Sequence, residues 1–245
     1  MRKNKNLMVL FLFINTYIGM VIILRKNLML LLLLFLGLFT TSAAPYNKES
    51  SYIIMETSSL RVLKGNNTDN QLLVASTAKI LTAITVIENY SLSEEITIKK
   101  EYIDEVGSSV YLEENDKITR RDLLYALMLR SANDAASALS DNDSNEFIML
   151  MNETAKKIGM KNSIFTTASG LDEREYNLST AYDMALLSAY ASKNSVFKEI
   201  ASSHSYHCKT QNKDYFWGNK HKLVKANESF IWGKTGVGTY FTQNL

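Results

Sequence analysis

The chain has 245 residues, 46% hydrophobic and 21% charged, with one Pro, one Cys and a formal net charge of +2. The charged fraction excludes a polytopic membrane protein, the hydrophobic fraction excludes a disordered chain, and the single Cys208 excludes an intramolecular disulfide framework. A net charge this close to zero gives no ground for nucleic-acid binding, and the length suffices for one large domain with a full core.

The charge is unevenly placed. Residues 1–44 hold five basic side chains (Arg2, Lys3, Lys5, Arg25, Lys26) and no acidic one, so 45–245 carries 22 basic and 25 acidic residues, a net of −3. Two apolar runs, 7–24 and 28–39, occupy this region. The second follows Arg25-Lys26, is only 12 residues long and leads into Thr41-Ser42-Ala43-Ala44-Pro45. It is too short to span a bilayer and reads as a secretory signal cleaved after Ala44. The first run leaves two readings open, a start codon downstream near Met20 or Leu24, or a single longer anchor. A helical hairpin would put Arg25-Lys26 on the outer side, against the positive-inside rule. In each case the bulk of the chain is expected to be exported to the cell envelope or beyond, with membrane contact only through this leader.

The exported part reads as a mixed α/β domain. Ser51–Glu56 and Leu60–Lys64, split by Thr57-Ser58-Ser59, predict a β-hairpin. Ala75–Asn89 predicts a helix with a buried face carrying Ile80, Leu81, Ile84, Val86 and Ile87. Helices are also predicted over Thr119–Leu129, Asn133–Leu139, Asn145–Ile158 (ended by Gly159) and Ser179–Ala191. His204–Trp217, Lys220–Val224 and Ser229–Lys234 have strand-like composition. Strands at both ends with helices between predict one sheet built from the two chain ends around a helical insert. No repeat and no Pro- or Gly-rich linker divides 45–245, which therefore reads as one domain. His204-x-x-His207-Cys208 has metal-ligand residue types but no further His or Cys nearby, so neither a metal nor a cofactor is expected.

Three short motifs can carry chemistry. In Ser76-Thr77-Ala78-Lys79 the Ser and Lys lie one helical turn apart on one face. A Lys amine there can take the hydroxyl proton if burial and cationic neighbours lower its proton affinity. In Ser131-Ala132-Asn133 a hydroxyl can relay a proton, and an amide can both donate to a substrate and orient the Lys. In Lys234-Thr235-Gly236 the sequence offers a fixed cation, a hydroxyl, and a Gly beside which a substrate backbone can lie. Each motif is weak alone: Ser195-x-x-Lys198 repeats the first, while Ser140-Asp141-Asn142 and Ser192-Lys193-Asn194 repeat the second as ordinary turns or caps. Order, spacing and export context together match the signature of active-site serine penicillin-recognising enzymes.

A longer resemblance supports this. Gly107–Leu112 (GSSVYL), Asp122–Ala136 (DLLYALMLRSANDAA), Met151-Asn152, Ala155–Met160 (AKKIGM), Phe165, Gly170-Leu171-Asp172 and Ser179-Thr180-Ala181 resemble the low-molecular-mass D-alanyl-D-alanine carboxypeptidases over roughly 51–237. The resemblance implies an α+β fold of the serine β-lactamase and penicillin-binding-protein type: a sheet flanked by helices beside an all-helical lobe, with the active site at their seam. It implies Ser76 as nucleophile, Lys79 as its base, Ser131 as a proton relay and Asn133 as holder of the substrate amide. Lys234, Thr235 and Gly236 would bind the terminal carboxylate of a D-Ala-D-Ala stem peptide of peptidoglycan, or a β-lactam antibiotic in its place. The backbone N–H groups of Ser76 and Val237 would form the oxyanion hole.

A class A β-lactamase would add an E-x-x-L-N Glu, and none stands between Ser140 and Lys234. Glu56 and Ala78 replace residues usual in the family, Asp and Thr. Family members continue past K-T-G into two strands that sit between it and the N-terminal hairpin. On that pattern this chain, with nine residues after Gly236, is expected to be C-terminally truncated. The Lys234 strand would then lack a neighbour and the hairpin would keep an open edge, giving a penicillin-binding remnant poorly folded or inactive alone.

Overall fold

A computed structural model describes residues 50–171, 176–237 and 243–244. The leader, its cleavage site and Asp172 lie outside the described residues. The predicted hairpin is present as β1 (Tyr52–Met55) and β2 (Val62–Asn66), antiparallel with an irregularity between Ile54 and Met55. Glu56 closes its turn by accepting the backbone N–H groups of Ser58 (3.0 Å) and Ser59 (2.8 Å). A polar loop then leads to β3 (Leu72–Leu73), a single 3-10 turn (Ala75–Ala78) and helix α1 (Lys79–Asn89).

Helix α1 is the axis of the core. Composition predicts one buried face, but Lys79 through Val86 are buried on every side, the condition of a helix enclosed by others. The buried Thr82 satisfies its hydroxyl by donating to Ala168 O at 2.7 Å. The surrounding shell begins with β4 (Glu95–Thr97), α2 (Lys100–Ile103), β5 (Lys117–Thr119) and α3 (Arg120–Tyr125), followed by a π turn (Ala126–Arg130). It continues with α4 (Asn133–Ser140), α5 (Asn145–Ile158), β6 (Leu178–Ser179), α6 (Ala181–Ala191) and α7 (Ser195–Ser202). Four helix starts follow from their caps: Thr119, Ser144, Thr180 and Asn194 each accept a backbone N–H three residues on. Gly159 ends α5 at φ 97°, the left-handed region that favours glycine.

The sheet differs from expectation. Among the described residues there are five separate two-stranded ladders and no single sheet joining the chain ends. His204–Trp217 does form strands, β7 (Ser205–Lys209) and β8 (Asp214–Gly218), but they pair with each other. They pack on the helical part through Tyr206, whose ring stacks on Tyr125 at 3.6 Å and whose hydroxyl donates to Asp122 at 2.6 Å. Lys220–Val224 is not a strand. It enters helix α8 (Lys222–Ala226), because Lys220 N–H is drawn to Leu129 O at 2.9 Å and turns the chain. Ser229–Lys234 runs irregularly with no ladder partner, held by Trp232 edge-on to Phe197 at 4.9 Å.

A groove of about 1180 Å³ lies between β1, α6 and Ile231–Thr235. The expectation of an unpaired K-T-G strand fails in one place: β9 (Gly236–Val237) pairs antiparallel with β10 (Gln243–Asn244), the chain's own next residues. No helix among the described residues is long and apolar enough to cross a membrane. His207 and Cys208 are successive residues of β7, one exposed and one buried, so they do not converge on one ion.

Phe197 is fully buried between α1 and Trp232. Phe197→Ala is expected to cost about 3–5 kcal/mol of stability, read from urea unfolding followed by circular dichroism.

Candidate active site

The 3-10 turn begins with Ala75 at φ 45° and delivers Ser76 half-buried, one turn ahead of α1. Lys79, the first residue of α1, is fully buried and reaches back so that Nζ lies 3.1 Å from Ser76 Oγ. The same Nζ donates to Asn133 Oδ1 at 2.8 Å and to Ser169 O at 2.5 Å. These two carbonyl oxygens can only accept. When Lys79 is neutral they take both of its N–H bonds and leave the nitrogen lone pair facing Ser76 Oγ. Burial first, and Lys234 second, hold the Lys79 ammonium well below the usual lysine range, against the opposing pull of Glu105 and Asp143. The arrangement can therefore remove the Ser76 proton.

Ser131 caps the π turn at φ 60°, ψ 35°, a left-handed conformation that a non-glycine residue rarely adopts. Its Oγ accepts from Lys234 Nζ at 2.8 Å, which leaves its own proton to give. Asn133 starts α4. Its Oδ1 orients Lys79 and its Nδ2 donates to Val106 O at 2.5 Å, so one amide N–H is left for a ligand. The neighbouring Asp134 is fully buried and collects Ser109 Oγ (2.6 Å) and the N–H groups of Val110 and Leu112 (each 3.1 Å), pinning the Gly107–Leu112 loop over the site.

Lys234 is buried, donates also to Thr235 O at 2.7 Å, and is brought down to about 7 by burial first and Lys220 second. Thr235 is exposed. Gly236 does something other than make room for a substrate: a Cβ on it would sit 3.1 Å from Ser76 N and 3.2 Å from Thr77 N. Its missing side chain lets β9 press against the Ser76 turn, and Val237 follows it there. All eight predicted residues thus gather around one turn. The second S-x-x-K copy does not: Ser195 and Lys198 are exposed on α7, and Asn194 is its cap.

Sequence reasoning missed three contributors. Ser169 O is a backbone acceptor of Lys79, invisible to a side-chain motif. Gly170, at φ 74°, would place a Cβ 2.0 Å from Ala75 O, so its missing side chain lets this backbone press against the turn as Gly236 does. Lys220, in a stretch expected to be strand, donates to Ser108 Oγ at 3.2 Å and adds positive potential beside Lys234.

The family model described as D-alanyl-D-alanine carboxypeptidase, peptidase S11, matches residues 39–245. The chain belongs to this family. A D-alanyl-D-alanine carboxypeptidase of a Streptomyces species is 34% identical over 69% of the chain and 65% of its own length. Another from Bacillus subtilis is 28% identical over 80% of the chain and 51% of its own length. The chain thus spans about half to two thirds of these carboxypeptidases. In solved structures, a Streptomyces DD-transpeptidase variant superposes with a TM-score of 0.73 at 31% identity, covering 79% of this chain and 82% of that one. A Mycobacterium tuberculosis D-alanyl-D-alanine carboxypeptidase gives 0.73 at 28% identity, covering 76% and 72%. The α+β penicillin-binding-protein fold is therefore that of this S11 chain.

Two measurements follow. Gly159 and Gly170 share a positive φ, but a Cβ at Gly159 meets nothing within 4 Å. Gly159→Ala is expected to cost about 1 kcal/mol and Gly170→Ala clearly more, so their difference in Tm isolates the collision with Ala75. Lys234 gives up its proton near 7 when folded and near 10.5 when unfolded, so between these values the unfolded chain binds more protons. Stability is expected to rise from pH 7 to 9, before Cys208, whose thiol is pushed up to about 12 by burial, opposes it. Lys79, lowered in the same direction, adds to this rise, so Lys234→Met should lessen the rise in Tm over that range without abolishing it.

Proposed function

We propose that the chain is a serine-type D-Ala-D-Ala carboxypeptidase acting on peptidoglycan stem peptides, and that β-lactams acylate the same serine. The observation that carries this reading is the fully buried Lys79, its Nζ 3.1 Å from Ser76 Oγ and enclosed by two carbonyls. Residues 45–245 are the catalytic domain in this reading, and residues 1–44 export it to the envelope.

In this mechanism Lys79 takes the Ser76 proton and Oγ attacks the carbonyl carbon of the penultimate D-Ala. The negative oxygen that forms lies against the backbone N–H groups of Ser76 and Val237. The C–N bond breaks, and Ser131 passes its proton to the departing amine of the last D-Ala while taking up the one that Lys79 removed from Ser76, which leaves Lys79 neutral again. Asn133 holds the substrate amide. Lys234, with the Thr235 hydroxyl, binds the terminal carboxylate. Gly236 keeps this strand close enough for both tasks. Water then attacks the ester, with Lys79 again as base, and frees Ser76. A β-lactam opens by the same attack, but its leaving nitrogen stays tethered and the ester persists. No step calls for a metal or cofactor.

The groove beside Ile231–Thr235 favours a second reading, in which Ser76 is acylated but peptide is not turned over, because Ile231–Thr235 has no ladder partner among the described residues. Incubation of the purified protein with a fluorescent penicillin, with Ser76→Ala in parallel, tests both. Covalent label on the wild type only, with D-Ala released from a peptide ending in D-Ala-D-Ala, is the expected result. Label without D-Ala release selects the second reading, and label that survives Ser76→Ala overturns both.

A further inference from the structure

One of the extra S-x-N copies, Ser192-Lys193-Asn194, takes no part in the chemistry, yet both of its polar side chains act on the segment that carries Lys234. Ile231–Thr235 has no ladder partner among the described residues, so no strand pairing sets its position. Upstream, the segment is held by Phe230, stacked on His221 at 4.8 Å. Nearer to Lys234 it is held by Trp232, whose Nε1 donates to Ser192 Oγ at 3.1 Å. Ser192 gives its own proton to Ser188 O at 2.8 Å, which leaves its oxygen to accept. The indole is thus hooked to the last turn of α6 through two hydrogen bonds in series. Asn194 acts one step further on. Its Oδ1 accepts from Phe197 N at 3.0 Å and starts α7, and the fully buried Phe197 ring meets the Trp232 indole edge-on at 4.9 Å.

An indole whose N–H is bonded and whose ring rests on another aromatic has both its polar end and its apolar body satisfied in one orientation. Only Gly233 separates it from Lys234, which is buried with Nζ 2.8 Å from Ser131 Oγ. If this segment slid along α6, the Ser192 bond would break and Lys234 would be carried away from Ser131.

We propose that Trp232 is a positioning residue for carboxylate recognition: its indole, hooked to Ser192 and seated against Phe197, takes the place of a ladder partner and holds Lys234 at Ser131. Trp232 acts through Lys234 and not on the reacting atoms. The inference rests on the acyl-transfer reading above, in which Lys234 receives the substrate carboxylate, and its test separates the two.

Ser192→Ala removes the acceptor, Trp232→Phe removes the N–H and keeps a ring, and Ser192→Thr keeps the hydroxyl. Competition against a fluorescent penicillin gives acylation rates for benzylpenicillin and for its methyl ester, which lacks the carboxylate charge. Ser192→Ala and Trp232→Phe are expected to slow the acid about fivefold and to leave the ester within about twofold of wild type. Ser192→Thr should restore the acid. A merely structural role would slow both compounds alike. Protein carrying ¹³C-labelled lysine, with the Lys234 Cε resonance assigned by Lys234→Met, reports on Lys234 without any acylation. Its midpoint, about 7 in the folded chain, is expected to rise by about half a pH unit or more in Ser192→Ala and Trp232→Phe, because a loosened segment lets water reach the ammonium while the neighbouring Lys220 is untouched. A midpoint that stays in place in both variants overturns the proposal whether or not the protein is acylated, and so does equal slowing of acid and ester. A raised midpoint in a protein that no penicillin labels supports the anchor and sinks the acyl-transfer reading instead.

Discussion

The structure depends on one expensive act, the complete burial of Lys79. An isolated ammonium cannot be taken out of water without large cost, so it either finds partners or gives up its proton. Here both happen. Three acceptors converge on Nζ from three separate parts of the chain, Ser76, Asn133 and Ser169. To bring them together, α1 is enclosed on all sides, the start of α4 is fixed by Asp134, and the loop through Ser169 is fixed by Asp143. The fold around α1 is largely the apparatus that makes this burial tolerable.

A second buried lysine stands beside the first. Lys234 lowers the affinity of Lys79 for a proton, and both are lowered by a common neighbour, Lys220. Such crowding of cations works against the folded state and is retained where a negatively charged group is to be received. The Ser131 hydroxyl sits where this matters, accepting from Lys234 while keeping its own proton.

Much of this was legible from residues alone, for local reasons. Helix starts at Ser144 and Thr180 follow from side chains that cap their own backbone, and the end of α5 follows from Gly159, whereas α7 behind its Asn194 cap was not predicted. The eight candidate site residues come from motif order and from the family resemblance. What was not legible depends on distant contacts. Lys220–Val224 has strand-like composition, yet a bond from Lys220 N–H to Leu129 O, far away in sequence, turns it into α8. Among the described residues five small ladders stand where one sheet was expected, because strand pairing is decided between segments, which composition does not record. The role of Ser169 is carried by a carbonyl, which every residue has, and that of Gly170 by a φ angle and a 2.0 Å clash that only coordinates reveal.

The π turn at Ala126–Arg130 sets the phase of the site. Helix α3 is anchored at its start by Thr119, so the direction in which Ser131 leaves the turn is fixed by the number of residues wound between them. A π turn takes in one more residue than an α turn. Rewound as regular α-helix, the same segment would carry Ser131 about 100° further round the axis, away from Lys234. This single widened turn is thus a spacer measured in residues. Within α3 and the π turn, any change of length is a change of angle at Ser131, although this stretch donates no side chain to Ser76.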